Sequence, residues 1–313
     1  MKYLKYYYWW LPFCLYSLDA NAWGLMTHIY FAHSLLWAMP LLDPRLQKVI
    51  KAFPELVMTG ACLPDLTVVS EHFSETHQWH LANKLLDSAK TDEETALAIG
   101  FASHLYVDVI AHNHFVPAHE ASWFQSNQFK RHILFKVVSY PHLKRLNPFK
   151  SLKISKWFTH SAMTHISSEW AMDAHLTPLI PKTPTQLLTA HQNLIIDFIT
   201  PHFRCSHVQT RTAVKRLSFW DGLLRSCKLP HAIYHAARYF DPNLFKHFVY
   251  YIARTQNAIN HIGPALNGVK PHFEAELNIS DAQALTDWRE ACLANLHLMH
   301  PIPIDYYANQ SAH

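Results

Sequence analysis

The chain has 313 residues, half of them apolar, and 27 Lys and Arg against 23 Asp and Glu for a formal net charge of +4. So small an excess, with no basic cluster, gives no electrostatic footprint for a polyanion, and no stable nucleic-acid partner is expected. Six glycines in the whole chain disfavour a β-rich fold built on tight turns. Twenty-five histidines point the other way, toward a metalloprotein, because imidazole is the commonest metal ligand and suits zinc.

The first 22 residues read as a leader. Lys2 and Lys5 make a basic start, Tyr6 to Leu18 is apolar and aromatic, and Ala20-Asn21-Ala22 supplies small residues where a signal peptidase reads. Cleavage after Ala22 would export the protein, to the periplasm or beyond, as a chain beginning on Trp23. No later stretch approaches the length of a transmembrane span. Cys14 leaves with the leader, and the pairing of Cys62, Cys205, Cys227 and Cys292 is not readable.

Hydrophobic periodicity is helical nearly everywhere after that. Thr27 to Met39 is amphipathic and stops at Pro40. The stretch 91–115 opens with Thr91 and Glu94 in capping-box spacing and then runs apolar toward Pro117. Residues 155–176 make another long helix, ended before Pro178, and further patterns cover 184–200, 208–226, 229–239, 243–260 and 280–298. No repeat or strand ladder interrupts them. The fold class is all-α, a multi-helix bundle.

Helical spacing then becomes chemistry. His104 and Asp108 are four apart and project from one face of the same helix. His112 continues that face and His114 follows two residues later. On the other long helix His165 and Glu169 repeat the spacing, with Asp173 one turn further on. Two helices that each present a histidine and a carboxylate are one way to build a multinuclear metal centre inside a bundle.

The order Trp23-Gly…His28, Pro64-Asp65, His77, His104-x3-Asp108-x5-His114 and His165-x3-Glu169 resembles the bacterial zinc-dependent phospholipase C family. Fungal single-strand nucleases share the family's fold and three-zinc site. The resemblance spans residues 23 to about 175. With the leader over 1–22, it implies a catalytic region over 23–180; residues 181–313 carry none of the family's motifs and are expected to form a helical extension that packs on it, with no function assigned. The resemblance also implies about three zinc ions, all on nitrogen and oxygen ligands. One would be held by His28 and by the α-amino group and carbonyl of Trp23, with Asp108 bridging to a second. The second would take Asp65, His77 and His104, and the third His114, His165 and Glu169.

Two positions stay open. His80 competes with His77, since the two would share nearly one helical face, and an unbroken helix would aim His112 rather than His114 along the face of Asp108. Histidines such as His33, His72, His160 and His231 have no partner in the pattern.

By resemblance the chain is an enzyme, a zinc metallohydrolase that cleaves the glycerol-side phosphodiester of phosphatidylcholine or a related phospholipid at a membrane or micelle surface. The products are diacylglycerol and a phosphorylated headgroup, and Asp65 is the carboxylate that orients or deprotonates the attacking water. The Trp23-to-His28 spacing is that of the nucleases, whereas Glu169 stands where nucleases carry Asp. A single-strand nuclease is therefore the alternative enzyme. A non-catalytic exported zinc-binding protein is the third reading.

Overall fold

The computed structural model describes residues 24–38, 44–111, 115–116, 160–240 and 244–260. Among them are twelve α-helices and no strand: α1 Leu25–Ala38, α2 Pro44–Ala52, α3 Pro54–Gly60, α4 Leu66–Val69, α5 Trp79–Ser88, α6 Asp92–Ile110, α7 His160–Leu176, α8 Pro184–Ala190, α9 Gln192–Ile199, α10 His207–Ser226, α11 Leu229–Phe240 and α12 Leu244–Asn260. The protein is all-α, as its periodicity predicts. Residues 280–298 lie outside the described residues.

The helix at the centre is α6. Its N-cap Thr91 accepts the Glu94 N–H at 3.2 Å through Oγ1, and Asp92, Glu93 and Glu94 in the first turn suit the positive end of the helix dipole. Glu94 reaches back one residue further than a capping box requires, accepting the Lys90 N–H at 2.6 Å. From Ala96 to Asp108 every residue is buried. Such a helix must be surrounded, whatever its amphipathicity. The surrounding helices are α1, α2, α3, α5, α9 and α12.

The closest of these crossings, α3 on α6, rests on two of the chain's six glycines. A Cβ on Gly60 would collide with the Leu97 carbonyl, and one on Gly100 with the Val57 carbonyl. Two backbones therefore touch where side chains would hold them apart. Gly100→Ala is expected to destabilise the protein by about 2–3 kcal/mol through overpacking against backbone that cannot give, read as a lowered urea midpoint. It is also expected to weaken zinc binding, because the segment following α3 carries part of the site described below.

Behind this crossing, α7 lies on α1 and α11, while α12 packs on α1 and α6. Phe115 meets Phe248 and Tyr251 of α12 at ring separations of 5.7 and 5.2 Å. Leu187, Ala213 and Phe248 belong to the same buried cluster as Ile29 and Leu97. The helices after residue 180 thus share the core of those before it.

Three local differences from the sequence reading have physical reasons. The helix expected over 184–200 breaks at His191, whose φ of −109° and ψ of 16° let α8 and α9 each turn an apolar face inward. The regular α-helix expected to run to residue 115 changes its winding after Ile110: Ala111 and Phe115 are π-helical and Val116 is α-helical. The short helices α2 to α5 carry too few residues each to show a period.

Candidate metal centre

Four segments deliver the site. His28 comes from the first turn of α1, Asp65 from the turn leading into α4, His77 from the turn before α5, and His104 and Asp108 from adjacent turns of α6. His28, Asp65, His104 and Asp108 are buried, and His77 is partly so.

Asp108 lies in the middle with its two oxygens facing different partners. Oδ1 is 3.2 Å from His28 Nε2. Oδ2 is 3.1 Å from His104 Nε2 and 3.3 Å from His77 Nε2. Asp65 Oδ1 stands 3.9 Å from both His77 Nε2 and His104 Nε2. His28 and His104 stack with ring centroids 3.6 Å apart. One carboxylate therefore meets all three histidines, His28 through one oxygen and His77 with His104 through the other.

The rings are aimed by their far nitrogens. His104 Nδ1 is 2.8 Å from the Ala61 carbonyl, which only accepts, so the proton is on Nδ1 and Nε2 faces the cluster. Ala61 directly follows α3, so the glycine crossing sets this bond. Thr76 Oγ1 gives its hydrogen to a carbonyl, with Pro64 the nearer acceptor at 2.6 Å and Phe73 at 2.9 Å. The Thr76 oxygen is then an acceptor for His77 Nδ1, at 3.3 Å. The segment 61–65 thus supplies Asp65 and, through its carbonyls, orients both histidines.

With each Nδ1 donating outward, neutral rings bring two bare Nε2 atoms within 3.3 Å of each other. Something positive has to stand between them, either a proton on one ring or a metal cation. Burial lowers the pKa of His77, but its contact with Asp108 and the charge of Asp65 outweigh that and raise it. Burial lowers that of His104, and the charge of His28 adds to it. Burial alone would raise the Asp108 carboxyl, but His104 and His28 outweigh it and hold it well below the usual carboxylate range. Burial pushes Asp65 up to about 6, with His104 and His77 pulling the other way, and its Oδ1 is buried without a hydrogen-bond partner.

These residues fit a metal. Two sets, His28 with Asp65 and His104, and His77 with His104 and Asp108, each bring one ligand atom per residue within 4.8 Å of the others. The donors are imidazole nitrogen and carboxylate oxygen, which zinc accepts. Every residue in them is one singled out from the sequence.

The other candidates divide. Glu169 is buried on α7. His165 lies one turn earlier on the same helix, its side chain not among those described. His80 sits in the first turn of α5 and joins neither group. The single helical face expected for His77 and His80 does not form, because α5 begins at Trp79 and His77 precedes it. Trp23, His112 and His114 lie outside the described residues.

Sequence reasoning missed the supports: the Ala61 carbonyl, Thr76, and the partner of Asp173. Asp173, noted only as continuing the face of Glu169, turns to α1 instead and accepts hydrogen bonds from Thr27.

The family model for zinc-dependent phospholipase C matches residues 27–202, more than half of the chain and a span that holds every residue of both donor groups. No curated protein and no solved structure matches the chain.

Proposed function

Since the chain belongs to the zinc-dependent phospholipase C family, we propose that it hydrolyses phosphatidylcholine or a related glycerophospholipid to diacylglycerol and a phosphorylated headgroup. The observation that carries this reading is the position of Asp108, one carboxylate shared between His28 on one side and His77 with His104 on the other. That is the arrangement a bridging ligand needs.

In this reading His28, the terminal amine and carbonyl of Trp23, and Asp108 hold one zinc. Asp65, His77, His104 and Asp108 hold a second. Glu169, His165 and one of His114 or His112 hold a third. Bound zinc would supply Lewis acidity, neutralising charge on the phosphoryl group and making water a competent nucleophile near neutral pH.

The remaining work falls to the chain. Asp65 accepts the proton that water gives up as its oxygen attacks phosphorus. The bond from phosphorus to the glycerol oxygen breaks, and diacylglycerol leaves with a proton from solvent. The outward bonds of His104 and His77 fix their rings, so the donor set needs little rearrangement during the reaction. Export after cleavage at Ala22 belongs to the same proposal, because only cleavage frees the amine of Trp23.

The test uses the protein beginning at Trp23, labelled phosphatidylcholine in mixed micelles, and single-stranded DNA, each with and without chelator. Lipid cleavage that chelator abolishes and zinc restores is expected. Faster cleavage of DNA than of any lipid would transfer the site to the nuclease reading, which the Trp23-to-His28 spacing favours.

A further inference from the structure

Asp173 is a buried carboxylate that neither metal group uses. It lies on α7 one turn beyond Glu169. Its Oδ1 accepts the Thr27 N–H at 2.8 Å and the Thr27 hydroxyl at 2.7 Å, and its Oδ2 accepts the Met26 N–H at 3.4 Å. Thr27 and Met26 are in the first turn of α1, where backbone N–H groups lack i−4 partners within the helix; the Thr27 N–H is shared with the Gly24 carbonyl, at 3.0 Å. Asp173 therefore caps α1 from another helix, across 146 residues of chain. The next residue after Thr27 is His28.

Gly24 belongs to the same contact. A Cβ there would run into the Asp173 carboxylate, so the residue following Trp23 has to be glycine for the carboxylate to come this close. Two features that the metal ligands do not explain, an acidic residue off the metal groups and a glycine at the start of α1, thus account for each other.

We propose that Asp173 is a positioning residue: it registers α1 against α7 so that His28, the next residue after the capped Thr27, is held against Asp108. The inference rests on the zinc-site reading given above. Glu169 and Asp173 are four apart on one helix, so a single turn of α7 would hold a zinc ligand and fix the segment that brings in another. A cap supplied by α1 itself would stabilise that helix equally well but would leave its register against α7 free.

Three variants of the chain beginning at Trp23 separate positioning from plain stability. Asp173→Asn keeps the Oδ1 acceptor for Thr27, Asp173→Ala removes it, and Gly24→Ala obstructs it from the other side. Each is loaded with zinc for elemental analysis and with cobalt for its absorption spectrum, and the metal-free forms are melted. Zinc is expected to fall from about three ions to about two in Asp173→Ala and Gly24→Ala, with an altered cobalt spectrum, while Asp173→Asn retains both.

Full zinc and an unchanged cobalt spectrum in Asp173→Ala, with only a lowered melting temperature, would overturn the proposal and leave a helix cap. Equal zinc loss in Asp173→Asn and Asp173→Ala would also overturn it, by making the carboxylate itself a ligand. Should Asp173→Ala fail to fold, Gly24→Ala against Asp173→Asn decides in the same way. Both readouts are taken without substrate, so a protein that binds zinc and cleaves no lipid would count against the proposed function and not against Asp173.

Discussion

Asp108→Asn is expected to abolish tight zinc binding at two of the proposed sites and to lower lipid hydrolysis by more than a hundredfold. Loss of an outer partner of a ligand alone costs roughly 10–100-fold in metal affinity or activity. Here the residue lost meets all three histidines, with His28 on Oδ1 and His77 and His104 on Oδ2. Asparagine has the same shape but offers one oxygen, and its NH2 would face a ring nitrogen or a cation in a buried place. Asp221→Asn is the control. That carboxylate is also largely buried and bonds Arg225 at 2.6 Å and Thr185 at 2.7 Å, so the variant is expected to lose stability while keeping its zinc. Loss of zinc in both variants would mean that any buried carboxylate change loosens the protein. Chelator competition and elemental analysis supply the comparison.

One alanine placed ahead of Trp23 is expected to leave the protein folded but one zinc short, with activity reduced by two orders of magnitude or about that. The argument concerns a single nitrogen. A free α-amino group has a pKa near ~8 and gives up its proton to a metal at neutral pH. Joined to another residue it becomes an amide, whose lone pair is delocalised into the carbonyl and cannot coordinate. Gly24, held beside Asp173, stands one helical turn before His28, so an added residue is introduced next to that donor and not at a distant tail. Equal zinc content and equal rates in the two proteins would remove the amine from the ligand set. By the same reasoning a precursor that retains residues 1–22 is expected to be inactive until it is cleaved after Ala22.

What could be read in the sequence follows from what has a period. His104 and Asp108 declare themselves because both lie on one regular helix, and Thr91 with the acidic first turn marks where that helix starts. His28 and Asp65 are legible only through their order relative to the other elements. His77 cannot be told from His80 by helical spacing, because a helix boundary at Trp79 falls between them and a one-residue boundary is beyond any pattern of apolar residues. The supports are silent for another reason. Ala61 acts through its carbonyl, which every residue has, and Gly60 meets Leu97 only once two helices cross. Asp173 has the right type and spacing to extend a metal-binding face, yet the donors of α1 reach its oxygens. Long-range partners of this kind are fixed by packing, and the sequence carries them only as an acid in one place and a glycine in another.

The central claim, that this site hydrolyses a phospholipid with zinc, is tested most directly by phosphorus NMR of phosphatidylcholine micelles treated with the protein beginning at Trp23 in oxygen-18 water. Attack of water on phosphorus with loss of the glycerol oxygen predicts phosphocholine carrying one heavy oxygen, formed with zinc present and not after chelation. Phosphatidic acid as the phosphorus product, or label in diacylglycerol, would place the cleavage at another bond. No new phosphorus signal from lipid, while single-stranded DNA is degraded by the same zinc-loaded sample, would contradict the account.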